Sequence, residues 1–208
     1  MKYFDTFPFV TTADNKGNYT QLVNLTLRTK LIPQLSKNPL IFYKYAIQEG
    51  DTPEIIANKY YGSPYRYWMV LIANEIADPQ WEWPLSTQQF TKFIIDKYKA
   101  AAGSQSPIDY TQVTNHHYEK LITTYDDSNQ TTVIKNIVID KDTYDHTVET
   151  TKQSKFDYGG IVTYTITKKA VSIFDYENEL NEKKRNIKLI NANYITDVEN
   201  QFKYLMNL

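Results

Sequence analysis

Three histidines, His116, His117 and His146, supply all the imidazole available to this 208-residue chain. None belongs to a His-Glu-x-x-His pair, and no Gly-x-Ser-x-Gly elbow or phosphate-cradling glycine loop accompanies them. The chain has no cysteine, which excludes a thiol nucleophile and any disulfide framework. The run from Asp140 through Asp142 to Asp145-His146 begins like a calcium loop, with carboxylates at its first and third places. Such a loop needs an oxygen ligand at the fifth place and glycine at the sixth. Tyr144 and Asp145 stand there instead, so the run reads as a solvated acidic turn. Two carboxylates could cleave a glycosidic bond, yet nothing singles out a pair. No convergent set of groups emerges, and the expectation is a protein that is not an enzyme and has no metal and no cofactor.

Charge is nearly balanced, with 23 Lys and Arg against 24 Asp and Glu. A chain without basic excess has little to neutralise a phosphate backbone, so no nucleic acid is expected as a partner. The opening stretch is too polar for a secretory leader, and no apolar run approaches the roughly 18 residues of a membrane span. We therefore expect synthesis in the cytoplasm, no membrane partner, and export only on a particle. Tyr is unusually frequent at 18 copies, with nine Phe and three Trp beside it. Aromatics with a polar tip suit surfaces half buried against a partner, and they also suit a strand-heavy core. Composition leaves both readings open.

Positioning elements can be read in the punctuation. Phe4, Phe7 and Phe9 alternate like a strand broken by Pro8, and Asp14 to Asn18 reads as a turn. This apolar but irregular arm must pack on something. Phe42 to Gln48 reads as a strand turned by Glu49-Gly50. Thr52 is a good helix N-cap, with Pro53 at the first helical position and Gly62 as a left-handed stop. Ser63-Pro64 opens a second helix in the same way, and Tyr65, Trp68, Met69 and Ile72 follow at helical spacing. Asp78-Pro79 and Trp81-Glu-Trp83-Pro84 form an aromatic loop before a third helix, which Ser86 and Gln89 cap. Residues 100–109, rich in Ala, Gly and Ser, read as a linker. Tyr110 to Ile173 is β-rich in pattern, and from about Tyr176 the pattern becomes helical. Ile187, Ile190, Tyr194, Val198, Phe202 and Leu205 form an apolar stripe there, which either a partner groove or the chain's own sheet could bury.

The block Gly50-Asp51-Thr52-Pro53, Gly62 and Leu71-Ile-Ala-Asn74 resembles a LysM-type module. That resemblance implies a pocket between the Gly50-Asp51-Thr52 corner and the loop after Asn74, where backbone groups bind acetamido sugars. Asp51, Thr52 and Asn74 also have a purely structural reading as helix caps. The chain departs from the LysM pattern after Asn74, because a compact second strand should follow and Trp81-Glu-Trp83-Pro84 follows instead.

Three stretches together point further. They are Tyr3-Phe4-Asp-Thr-Phe7-Pro8, Tyr60-Tyr61-Gly62-Ser-Pro64-Tyr65-Arg-Tyr-Trp68 leading to Asn74, Asp78-Pro79 and Trp83-Pro84, and Phe174-Asp-Tyr176-Glu177 running on to Lys184-Arg185. These are similar to the baseplate wedge proteins of T4-like contractile-tailed bacteriophages that carry a LysM-like domain. The resemblance implies a non-enzymatic virion subunit of the tail baseplate. Its partners would be other wedge proteins, neighbouring wedges and the sheath initiator, with no small-molecule substrate.

The expected architecture is α+β: a small LysM-like βαα module flanked by an extended N-terminal arm, a β-rich C-terminal part and a long C-terminal helix. The expected divisions are a docking arm over 1–40, the module with an extra helix over 41–99, the linker 100–109, and 110–208 ending in the amphipathic helix. Candidate partner- or glycan-binding residues are Gly50, Asp51, Thr52, Tyr65, Asn74, Asp78, Trp81 and Trp83, with Trp68 read as module core. Ile187, Tyr194, Val198, Phe202 and Leu205 are the candidates on a docking helix. The rival reading is a peptidoglycan-binding LysM module of a tail-associated cell-wall protein.

Overall fold

A computed structural model describes residues 3–13, 15–27, 30–31, 38–155 and 159–206. Asp14, in the expected turn, lies outside them. Helices and strands both contribute, in several small sheets, so the class is α+β. The chain forms two compact units: residues 1–86 join residues 181–208 in the first, and the continuous stretch 87–180 makes the second.

In the first unit Tyr3–Thr6 is a 3-10 turn, and the strand expected from Phe4 starts only at Phe9. Phe7 is buried, while every residue of the antiparallel hairpin β1 (Phe9–Ala13) and β2 (Tyr19–Val23) is exposed. Strand β3 (Phe42–Ala46) leads to α1 (Pro53–Tyr61). Its start is set by the Thr52 side chain, which accepts from the Ile55 N–H at 3.3 Å, and by Pro53, whose missing N–H needs no partner there. Gly62, at φ 67°, ends the helix in the left-handed conformation that a side chain would strain. A 3-10 turn at Pro64–Arg66 feeds α2 (Tyr67–Ala73), and α3 (Pro79–Glu82) follows.

The strand that pairs with β3 comes from the far end of the chain. It is β8 (Asn186–Ile190), antiparallel, with Phe42 opposite Ile190 and Ala46 opposite Asn186. The long C-terminal helix expected from Tyr176 is therefore broken, and Ile187 lies in a strand rather than on a helix. Ile187 and Leu189 are buried with Lys188 exposed between them, a period of two that the wider three- and four-residue spacing conceals. Asn191 then makes a tight turn, its side chain accepting from the Asn193 N–H at 3.1 Å. The chain becomes α-helical again only in α8 (Ile195–Met206).

One core unites these pieces: Ile41, Ile56, Trp68 and Met69 with Ile187, Leu189, Val198 and Phe202. Trp68 and Phe202 rings lie 4.6 Å apart, and Tyr3 covers both at 5.8 and 5.2 Å. Each fully buried side chain of this kind contributes about 1.5–3 kcal/mol relative to exposure. The stripe assigned to docking is thus absorbed by the chain's own core. Ile187, Val198 and Phe202 are buried, Tyr194 and Leu205 half-buried.

The second unit opens with α4 (Thr87–Ala102) and α5 (Pro107–Val113). The segment 100–109 is thus helix end, a turn with Gly103 at φ 62°, and helix start. Strands β4 (Asn115–Asp126), β5 (Thr131–Ile139), β6 (Thr150–Lys155) and β7 (Ile161–Ser172) form an antiparallel sheet in the order β5-β4-β7-β6. Helix α6 (Lys141–His146) explains the acidic run: Asp140 is its N-cap, accepting from the Thr143 N–H at 2.8 Å. Helix α7 (Ile173–Lys183) starts in this unit and carries Glu177, which is buried between Lys97 Nζ at 2.7 Å and Tyr98 Oη at 2.6 Å. Burial, reinforced by that carboxylate, pushes the Tyr98 phenol upward.

Candidate functional site

The corner after β3 is built around Asp51. Gly50, at φ 82°, turns the chain so that the Asp51 carboxylate points back at it. One oxygen accepts from Tyr45 Oη at 2.6 Å and the Gln48 N–H at 3.1 Å, and the other pairs with Lys59 Nζ at 3.3 Å. Burial alone would raise this carboxyl, but the donors from Tyr45, Gln48 and Lys59 outweigh it and hold it below the ordinary range. The Tyr45 phenol moves upward, first through burial and then through the carboxylate beside it. Trp83 closes the corner, its indole N–H donating to the Asp51 carbonyl at 3.0 Å. Asp51 and Thr52 therefore act as structural groups, one the hub of the turn and the other a helix cap.

Asn74 is equally occupied. Its amide nitrogen donates to the Val70 carbonyl at 2.7 Å and the Lys188 carbonyl at 2.8 Å, while its amide oxygen accepts from the Lys188 N–H at 2.7 Å. One side chain thus joins the end of α2 to β8 across 114 residues of sequence.

The remaining candidates sit apart. Asp78 caps α3 through the Gln80 N–H at 3.0 Å, and Glu82 ties that short helix down by accepting from Ala77 and Asp78. Trp81 on α3 is 71% exposed, and its carbonyl accepts from Lys184 Nζ at 2.6 Å. A shallow cleft of about 360 Å³ runs past Asn74, Trp81, Glu82, Lys184 and Asn186. Gly50, Asp51, Thr52, Tyr65 and Trp83 do not line it. The Gly50-Asp51-Thr52 corner is thus not part of this cleft.

A larger groove, about 490 Å³, runs along α2, lined by Tyr3, Phe4, Tyr67, Trp68, Leu71 and Ile76. The Trp68 indole N–H is buried and finds no acceptor among the described residues. Sequence reading passed over this groove because it needs the aromatic arm folded back onto α2. Tyr65 is exposed, as are Phe9, Val10, Tyr19 and Leu22 on the hairpin and Val133, Ile134 and Val138 on β5. Among the described residues no three His, Asp or Glu side chains converge, and no helix is long and apolar enough to cross a membrane.

A family model described as base plate wedge protein 53 matches residues 3–208. The chain belongs to that family. It is also 30% identical over 106 residues to the baseplate wedge protein gp53 of Enterobacteria phage T4, an alignment covering 50% of this chain and 53% of that protein. The match therefore spans about half the length of the curated relative. Membership makes this baseplate wedge protein a structural component of the phage virion, located in the tail baseplate. In that setting the exposed apolar hairpin and the groove beside α2 are the surfaces of interest, because large apolar patches mark sites of protein contact.

Proposed function

We propose that this wedge protein is a non-enzymatic clamp, holding wedge core proteins and neighbouring wedges together as the baseplate assembles. The β1–β2 hairpin carries the reading. Its ten strand residues are all exposed and none is charged. A hairpin left alone in water is marginally stable, so a partner's surface is its natural complement. The strand-helix-helix-strand group β3-α1-α2-β8 is, in this proposal, a LysM-like module whose second strand arrives after an inserted unit. It serves as a protein clamp rather than a sugar site. Supporting this, Asp51 and Asn74 already have their polar groups engaged inside the chain. Other wedge proteins, neighbouring wedges and the sheath initiator are the proposed partners.

Cross-linking mass spectrometry on washed, intact tails tests the clamp. The expected result is links from Lys59 and from Lys203 to different tail proteins. A chain tethered through its C-terminal part alone, with the β3-α1-α2 region free, would sink the proposal and turn attention to peptidoglycan.

A further inference from the structure

The two adjacent histidines acquire a relationship in the folded chain that their sequence does not display. Successive side chains in a regular strand point to opposite faces. Strand β4 is irregular at this point: Asn115 pairs with Ser172 and His117 with Val171, leaving His116 as the extra residue of a bulge. The bulge brings both imidazoles together, with Nδ1 of His116 2.9 Å from Nδ1 of His117 and the ring planes 87° apart. Each ring is also fixed from behind. His116 stacks on Tyr176 at 3.8 Å with an interplanar angle of 8°, and Nε2 of His117 contacts Glu119 Oε1 at 3.1 Å. All four residues belong to the second unit.

This arrangement decides where the protons sit. A carboxylate oxygen accepts, so the 3.1 Å contact with Glu119 places the His117 proton on Nε2 and leaves a lone pair on Nδ1. A carboxylate behind an imidazole whose other nitrogen is free is the arrangement by which proteins orient metal-binding histidines. In the metal-free pair, His116 Nδ1–H donates to that lone pair. If the His116 proton moves to its Nε2, on the exposed side chain, both Nδ1 atoms become ligands without net proton release.

We propose that His116 and His117 form a bidentate imidazole site for a divalent transition ion of the copper or nickel type. Imidazole donors and the general order of metal affinities favour copper and nickel. Two nitrogens each about 2.0–2.1 Å from one ion stand about 2.9 Å apart at a right angle and about 3.4 Å apart at the tetrahedral angle. The 2.9 Å of the hydrogen-bonded pair shows that both nitrogens can come within the span of one ion. No third His, Asp or Glu converges there among the described residues, so water completes the coordination. The sequence signal was present in part, because Glu119 lies two residues beyond His117 and shares its strand face.

Titration of the full-length protein with Cu2+ and with Ni2+, followed calorimetrically, tests the site. One equivalent is expected to bind, at least tenfold more weakly in H116Q and in H117Q. E119Q should weaken binding about tenfold or more by releasing the ring it orients. H146Q, which alters the remote and exposed His146, should bind as the parent does. Binding that survives H116Q with H117Q, or none by the parent at millimolar metal, overturns the proposal. Circular dichroism checks each variant's fold. Should the histidine variants unfold, the Cu2+ electron paramagnetic resonance spectrum of the parent decides. Coupling to two equivalent-type imidazole nitrogens is expected, and coupling to one or none refutes the site. None of these outcomes depends on whether the protein is a clamp.

Discussion

Replacing Asn74 by alanine removes three hydrogen bonds at once and leaves the Lys188 N–H and carbonyl without their side-chain partner. A net hydrogen bond contributes about 0.5–1.5 kcal/mol, and the two to Lys188 are partly open to water, which places the loss at about 2 kcal/mol in total. For a chain of this size that corresponds to a fall in Tm of about 4–8 °C. Calorimetry and urea denaturation of Asn74→Ala measure it, and amide exchange at Lys188 localises it, since that N–H should lose protection first. Peptidoglycan pelleting, run on both proteins, should not distinguish them. Stability within about 0.5 kcal/mol of the parent, together with loss of pelleting, would refute the reasoning and make Asn74 a sugar ligand.

Phe202→Ala should cost about 3–5 kcal/mol by opening the aromatic core, whereas Tyr204→Ala, at a side chain 66% exposed, should stay within about 0.5 kcal/mol; denaturation curves compare them. The Asp51 carboxyl is lower in the folded than in the unfolded chain, so the unfolded state binds more protons through the carboxylate range. Its stabilisation is present above the unfolded pKa and is lost as pH falls through the depressed folded value, and Asp51→Asn should flatten that acid limb in melts run against pH. Replacing 87–180 by a short Gly-Ser linker should leave the first unit folded by circular dichroism and hydrogen exchange. Leu85 and Asn181 already meet there, with the Asn181 side chain bonded to the Leu85 N–H at 2.7 Å and carbonyl at 3.0 Å.

Local chemistry was legible in the sequence and long-range pairing was not. Thr52, Pro53 and Gly62 place α1 because caps act within a few residues. Strand β8 was misread because Ile187 and Ile190 also fit a helical period, and only β3, far away in sequence, decides between them. The same limit hid the tie made by Asn74, which finds its partner in Lys188. A bulge that turns two adjacent histidines toward each other leaves no mark in periodicity at all.

The split origin of the first unit also sets an order of events on the ribosome. Residues 87–180 emerge as a continuous stretch and can fold when they appear. Tyr61, whose buried hydroxyl accepts from the Ile190 N–H at 2.9 Å, must wait for a residue made 129 positions later. At 5–20 residues per second that delay is on the order of 10 s, during which β3 and the aromatic arm have no closing strand. A chain that stops short of β8 lacks the strand that pairs with β3 in this core. Completion of that core therefore reports that β8 and α8 have been made.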